Sequence, residues 1–171
     1  MNPFGRQLVE RLERGPWIVE IEVIKVPGGH APKTLTRALV RFDPRRPFTI
    51  RVFRSSLLAR LQCRLGLASA IPLEDIALEE AVIVLADDAT LARRLVGAPR
   101  LRSLLLEPGA VLTASTKPGW LMRATGAVEK SVSTATHGRV KDRAELDRMA
   151  TLVETAACGL ASLGAIAPPA I

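Results

Sequence analysis

Hydrophobic residues recur along this chain with two distinct spacings. Between residues 17 and 26 they alternate: Trp17, Val19, Ile21 and Val23 take one side of an extended chain, and Glu20 and Glu22 the other. The same alternation predicts strands over residues 35–42 and 48–54, separated by Asp43, Pro44, Arg45, Arg46 and Pro47. Ala38, Val40 and Phe42 share one face of the first strand, and Phe48, Ile50 and Val52 one face of the second. Elsewhere the spacing is helical. Leu57, Leu58, Leu61 and Leu65 predict a helix over residues 55–67. Leu146, Met149, Leu152, Val153, Ala156, Leu160 and Leu163 predict a long final helix over residues 142–165. Near the start, Asn2 and Pro3 look like a helix entry, and Phe4, Leu8 and Leu12 a stripe that ends at Gly15-Pro16.

The stretch 80–106, EAVIVLADDATLARRLVGAPRLRSLLL, is the most fully specified. Residues 81–86 read as a short buried strand. Asp87 or Asp88 caps a helix whose apolar side is Leu91, Ala92, Leu95 and Val96. Arg93 and Arg94 fall in its last turn, where cations are favoured, and Gly97 follows. Pro99 opens a second helix with Leu101, Leu104 and Leu105 inward. Residues 68–77 read as a connector. Residues 111–116 and 120–125 read as a hairpin about Lys117-Pro118-Gly119, and 126–139 as irregular chain rich in Ser and Thr.

The expected fold is α+β: an antiparallel sheet packed against several helices, with a long C-terminal helix. It forms one domain over residues 1–171, or two interlocked subdomains, a basic sheet part (1–67) and a strand-helix-helix-hairpin-helix part (72–165).

The order of elements, an apolar strand into Asp87-Asp88, then LARRLVG and PRLRSLLL, two short strands about a Gly turn and an acidic-capped C-terminal helix, resembles a family of uncharacterised bacterial α+β domains. The resemblance covers residues 72–163, with the strands of 17–54 as the preceding platform. Members of that family often sit beside transmembrane segments, and the resemblance brings no catalytic residues.

Composition and charge narrow the functional reading. The chain has 171 residues, 48% of them hydrophobic, and no Tyr, which disfavours a base-stacking surface. The net charge of +7 is uneven: residues 1–64 carry 13 Lys and Arg against five Asp and Glu, whereas the remainder carries 11 against 12. Arg37, Arg41, Arg45, Arg46, Arg51 and Arg54 form the candidate anion-binding set, with Arg60 and Arg64 extending it. Arg37, Arg41 and Arg51 fall on the strand faces beside Leu35, Leu39 and Phe53. The competing explanation is that Glu20 and Glu22 pair with them across strands.

Other chemistry is thin. Asp87-Asp88 could hold a cation, but N-capping accounts for the pair. Ser131, Ser133, Thr134, Thr136, His137 and Asp142 offer the groups of a nucleophile–base–acid set without a nucleophile-elbow motif. His30 sits in a Pro/Gly loop, and Cys63 and Cys158 belong to no metal-binding pattern. No catalytic, cofactor-binding or metal-ligating residues are assigned. Residues 1–15 lack the apolar core of a signal peptide, and the uncharged stretch 155–171 is shorter than the roughly 20 residues of a spanning helix. The expectation is a non-enzymatic binding or scaffolding domain in the cytoplasm, with an unknown protein partner. The alternative is an electrostatic binder of nucleic acid or of an anionic membrane surface at the inner face of the membrane.

Overall fold

The computed structural model describes residues 5–26, 33–56, 70–116 and 130–169. Strands β1 (Arg6–Arg14) and β2 (Trp17–Val26) form a hairpin. They are followed by β3 (Lys33–Arg41), β4 (Asp43–Pro44), β5 (Thr49–Arg54), β6 (Val82–Ala86), β7 (Leu112–Ser115), β8 (Ser131–His137) and β9 (Ile166–Ala167). The helices are α1 (Ile76–Ala81), α2 (Ala89–Val96), α3 (Pro99–Leu106) and α4 (Arg143–Ser162). Seven strands make one antiparallel sheet in the order β1-β2-β3-β8-β7-β5-β6, and β4 and β9 pair separately. The expected α+β class with its long C-terminal helix is what the chain adopts.

Alternation sorts the sheet into two faces. Trp17, Val19, Ile21, Ala38, Val40, Ile50, Val52, Val84, Leu112, Ala114 and Val132 point to the helices and are almost fully buried. Helix α4 lies on β2, β3 and β8 and buries Leu146, Met149, Leu152, Val153, Ala156 and Leu160 there. Each such Leu or Met side chain contributes about 1.5–3 kcal/mol on leaving water. Gly159 lets α4 approach α2: a Cβ there would lie 2.8 Å from Leu95 Cδ1. Phe42 and Phe48 stack at 5.8 Å between ring centroids and bracket the charged turn.

The strand over residues 82–86, the capped helix α2 and helix α3 appear where the stretch 80–106 places them. Asp88 Oδ1 accepts from Leu91 N at 2.8 Å, and Pro99 stands in the first turn of α3. Gly97 serves through close approach rather than a left-handed backbone: its φ is −77°, and a Cβ would lie 2.9 Å from Arg93 O.

Three expectations are corrected. The N-terminal helix is instead strand β1. Leu8 and Leu12 are both even-numbered, so a four-residue spacing fits a strand as well as a helix, and Gly15-Pro16 closes a two-residue hairpin with Gly15 at φ +60°. A register shift between Leu8 and Glu10 then turns Leu8 away from the face that Leu12 shares with the core. The stretch 126–139 contains strand β8, between β3 and β7 near the middle of the sheet. Its Val132, Thr134 and Thr136 are β-branched residues that pack well on a pleated surface, so Ser/Thr richness did not mean loop. The connector is followed by helix α1, started by Asp75 accepting from Leu78 N at 3.1 Å.

Strands β3 and β5 do not pair with each other, because β8 and β7 lie between them. The second half of the expected hairpin (120–125) and residues 57–67 of the expected helix lie outside the described residues, while β7 pairs with β5 and β8. No helix among the described residues is long and apolar enough to cross a membrane.

Candidate functional site

The sheet face away from the helices gathers most of the chain's candidate chemistry. Strand pairing sets its rows. Glu20, Leu39, Ser133, Thr113, Arg51 and Leu85 lie side by side across six strands. Arg41, Ser131, Ser115 and Thr49 form the next row. Thr49 Oγ1 and Ser115 Oγ share a hydrogen bond of 3.2 Å. Arg41 and Arg51 therefore flank a band of five hydroxyl side chains.

At the β1–β3 end, carboxylates answer the arginines. Glu22 is fully buried, directly opposite Arg37, whose Nε donates to Glu22 Oε1 at 2.6 Å. Arg6 pairs with the other oxygen, Oε2. Arg41 pairs with Glu20. Such pairs neutralise the charge that a stripe of arginines would offer a polyanion.

The remaining members of the set are dispersed. Arg46 Nη1 lies 3.2 Å from Asp88 Oδ2. Arg54 reaches the carbonyl of Glu107 at 3.5 Å, the limit of a hydrogen bond. Arg45 is exposed in the turn, its backbone N–H donating to Ala165 O at 2.9 Å. Arg51 is exposed on the open face. Arg60 and Arg64 lie outside the described residues. Arg6, which contributes directly to the buried cluster, was missed by the helical reading of residues 2–14. The Gly15-Pro16 loop was the available signal.

The acid pair has structural employment. Asp88 caps α2, and Asp87 Oδ1 accepts from Thr49 N at 2.7 Å, tying β6 to β5. The hydroxyl, imidazole and acid groups of 131–142 are split by β8. Ser131, Ser133 and His137 lie on the face away from the helices, where Ser131 is buried, and Thr134 and Thr136 on the helix face. Asp142 starts α4, accepting from Ala144 N at 3.2 Å. Thr36 Oγ1 donates to Gly138 O and accepts from Val140 N, fixing the chain after β8. Cys158 is exposed on α4, and His30 and Cys63 lie outside the described residues. Among the described residues, no three His, Cys, Asp or Glu side chains are placed to hold a metal ion.

A cleft of about 450 Å³ opens between α1 and α2, lined by Leu73, Asp75, Leu78, Arg93, Arg94 and Gly97. Asp75 pairs with Arg102, and that guanidinium together with the Leu78 N–H holds its carboxyl below the ordinary carboxylate value. Arg93 Nε donates to Pro72 O at 3.0 Å. None of the six candidate arginines lines this cleft.

The chain matches no family model, curated protein or solved structure.

A second feature of the surface is the rim of the sheet. β1 is an end strand, and among the described residues nothing pairs with its outer side. It exposes Leu8 (55%) and Val9 (43%), two of the most exposed large apolar side chains.

Proposed function

We propose that this chain is a non-enzymatic binding or scaffolding domain that acts by engaging another protein, with the cytoplasm as its compartment. The observation that carries the reading is how the polar groups are spent. Glu20, Glu22, Asp87, Asp88 and Asp142 each hold a strand pair, a strand edge or a helix start. What remains accessible is a sheet rim with exposed Leu8 and Val9, and on the face away from the helices the exposed Arg51 and His137. Unpaired strand edges and apolar side chains of this kind are where proteins add a partner's strand.

The test is capture of a partner by immobilised protein, followed by charge reversal on the exposed rim and face. Loss of the partner with an unchanged melting temperature supports the proposal. Turnover of a small-molecule substrate, abolished by substituting His137 or Ser133, would overturn it.

A second reading is favoured by one observation. Arg51 and Arg45 are exposed, and Arg51 adjoins Thr113 in a row of hydroxyls. Guanidinium and hydroxyl groups together suit phosphate oxygens, as in nucleic acid or an anionic membrane surface. Steep loss of binding with rising salt, made worse by Arg51→Ala, is its signature.

A further inference from the structure

We propose that β1 is the interface for a second copy of this chain, which pairs with it antiparallel about a two-fold axis at Leu12, so that the sheets of two molecules run on as one. This deepens the binding-domain reading by naming a partner.

The hydrogen-bond phase of the hairpin comes first. Lys25 donates its N–H to Gly5 O, so the odd-numbered residues of β2 are those bonded to β1. In the register beyond the shift, their partners are Glu10, Leu12 and Arg14. Arg11 and Glu13 therefore direct their N–H and C=O groups away from β2, to the open rim. An antiparallel copy can bond there only by matching these outward residues with each other.

The side chains favour that match. With Leu12 on the axis, Arg11 stands opposite Glu13 of the second copy, and Glu13 opposite its Arg11. Glu10 and Arg14 face each other in the same way, beside the ion pairs that Glu10 makes with Arg143 and Arg14 with Asp147 and Glu154 in each copy. All four charged pairs are of opposite sign, and the central pair is Leu with Leu. Arg11 and Glu13 are exposed, and among the described residues neither is in an ion pair within the chain. The same register sets Val9 and Leu8 opposite the second copy's Gly15 and Pro16, which covers the two exposed apolar side chains.

Among the described residues no backbone covers the rim: the principal contacts of α4 with the main sheet are to β2, β3 and β8, and α4 reaches β1 through side chains, Arg143 to Glu10 and Asp147 and Glu154 to Arg14. A two-fold axis perpendicular to the sheet places both α4 helices on one side, separated by both β1 strands. Leu12, half-buried against the core, lies on that side with Glu10 and Arg14, while Arg11 and Glu13 lie on the other. Both faces of the joint thus carry complementary pairs. An isologous contact of this kind closes after two copies and cannot propagate. Residues 8–16 of each copy are fewer than the about 20–30 a side of a standard interface, so dissociation constants of roughly 10–100 μM are expected.

Sedimentation velocity of the full chain over concentrations up to the order of 500 μM tests this. The wild type should move from monomer to dimer mass. Arg11→Glu and Glu13→Arg place like charges opposite each other and should weaken the dimer by about tenfold or more. The double substitution Arg11→Glu/Glu13→Arg restores opposite signs and should recover it. Mixing the two single variants should produce a mixed dimer that neither forms alone. Melting curves confirm that the variants fold, as expected for exposed side chains. A wild type monomeric throughout, or single variants that associate as well as the wild type, overturns the proposal. The readout is self-association of pure protein. Failure here leaves capture of a different protein to be judged by its own experiment.

Discussion

Glu22 on β2 stands directly opposite Arg37 on β3, and its buried carboxylate takes one guanidinium on each oxygen, Arg37 on Oε1 and Arg6 on Oε2. Breaking such a pair from one side strands a buried charge, at a cost of about 3–5 kcal/mol. Glu22→Gln should therefore lower unfolding stability in urea by that order. Arg6→Ala, at the solvent side of the cluster, should cost about 1 kcal/mol or less. Equal effects of the two substitutions would show that the buried partner is not the dominant one.

Gly15 occupies the left-handed region at φ +60° in a turn of two residues. Gly15→Ala should cost about 1–2 kcal/mol, because a Cβ in that conformation approaches the following carbonyl. Gly15→Asn should cost less, since Asn tolerates the left-handed region. Chemical unfolding of both variants gives the order, and a Gly15→Ala variant as stable as the wild type would contradict the left-handed turn.

Much of the fold was legible because local and long-range signals agree. In the stretch 80–106, apolar run, Asp88 cap, Arg93-Arg94 last turn and Pro99 all name the same element boundaries. In β2, strict alternation from Trp17 to Val23 left no other reading. Legibility failed where one pattern fits two structures. Leu8 and Leu12 satisfy both periods, and Ser131 to His137 hides three β-branched core-facing residues in a polar composition. The Arg set was legible as residues but not as a surface. Whether Arg37 and Arg41 meet solvent depends on the β2–β3 register, which puts Glu22 opposite Arg37 and brings Glu20 to Arg41.

The cap of α2 should be measurable on its own. Asp88 accepts from Leu91 N at 2.8 Å, so Asp88→Ala should lower stability by about 1 kcal/mol, while Asp88→Asn or Asp88→Ser should retain most of it. The exposed contact with Arg46 adds little. A thermal melt of the three variants gives the order.

The pH dependence of stability should carry a contribution from Asp75. Its carboxyl is held below the ordinary value, first by the Arg102 guanidinium and then by the Leu78 N–H. A depressed carboxylate stabilises the fold fully above its unfolded value of about 3.9, and that contribution is lost as pH falls through the lower folded value. The difference in stability between wild type and Asp75→Asn should be constant from neutral pH down to about 4 and shrink below it. A difference that grows on acidification would contradict the pairing with Arg102.

The proposal that this chain is a protein-binding domain rather than a polyanion binder is tested most directly by one titration. Fluorescently labelled duplex DNA, single-stranded RNA and vesicles containing anionic lipid are titrated with the protein at rising salt. Glu20 and Glu22 cancel the charge of Arg41 and Arg37, so the expected result is no saturable binding at on the order of 10 μM protein and about 0.15 M salt. Saturable binding that falls steeply with salt and weakens in Arg51→Ala would contradict the proposal and place the function on the open arginine-and-hydroxyl face.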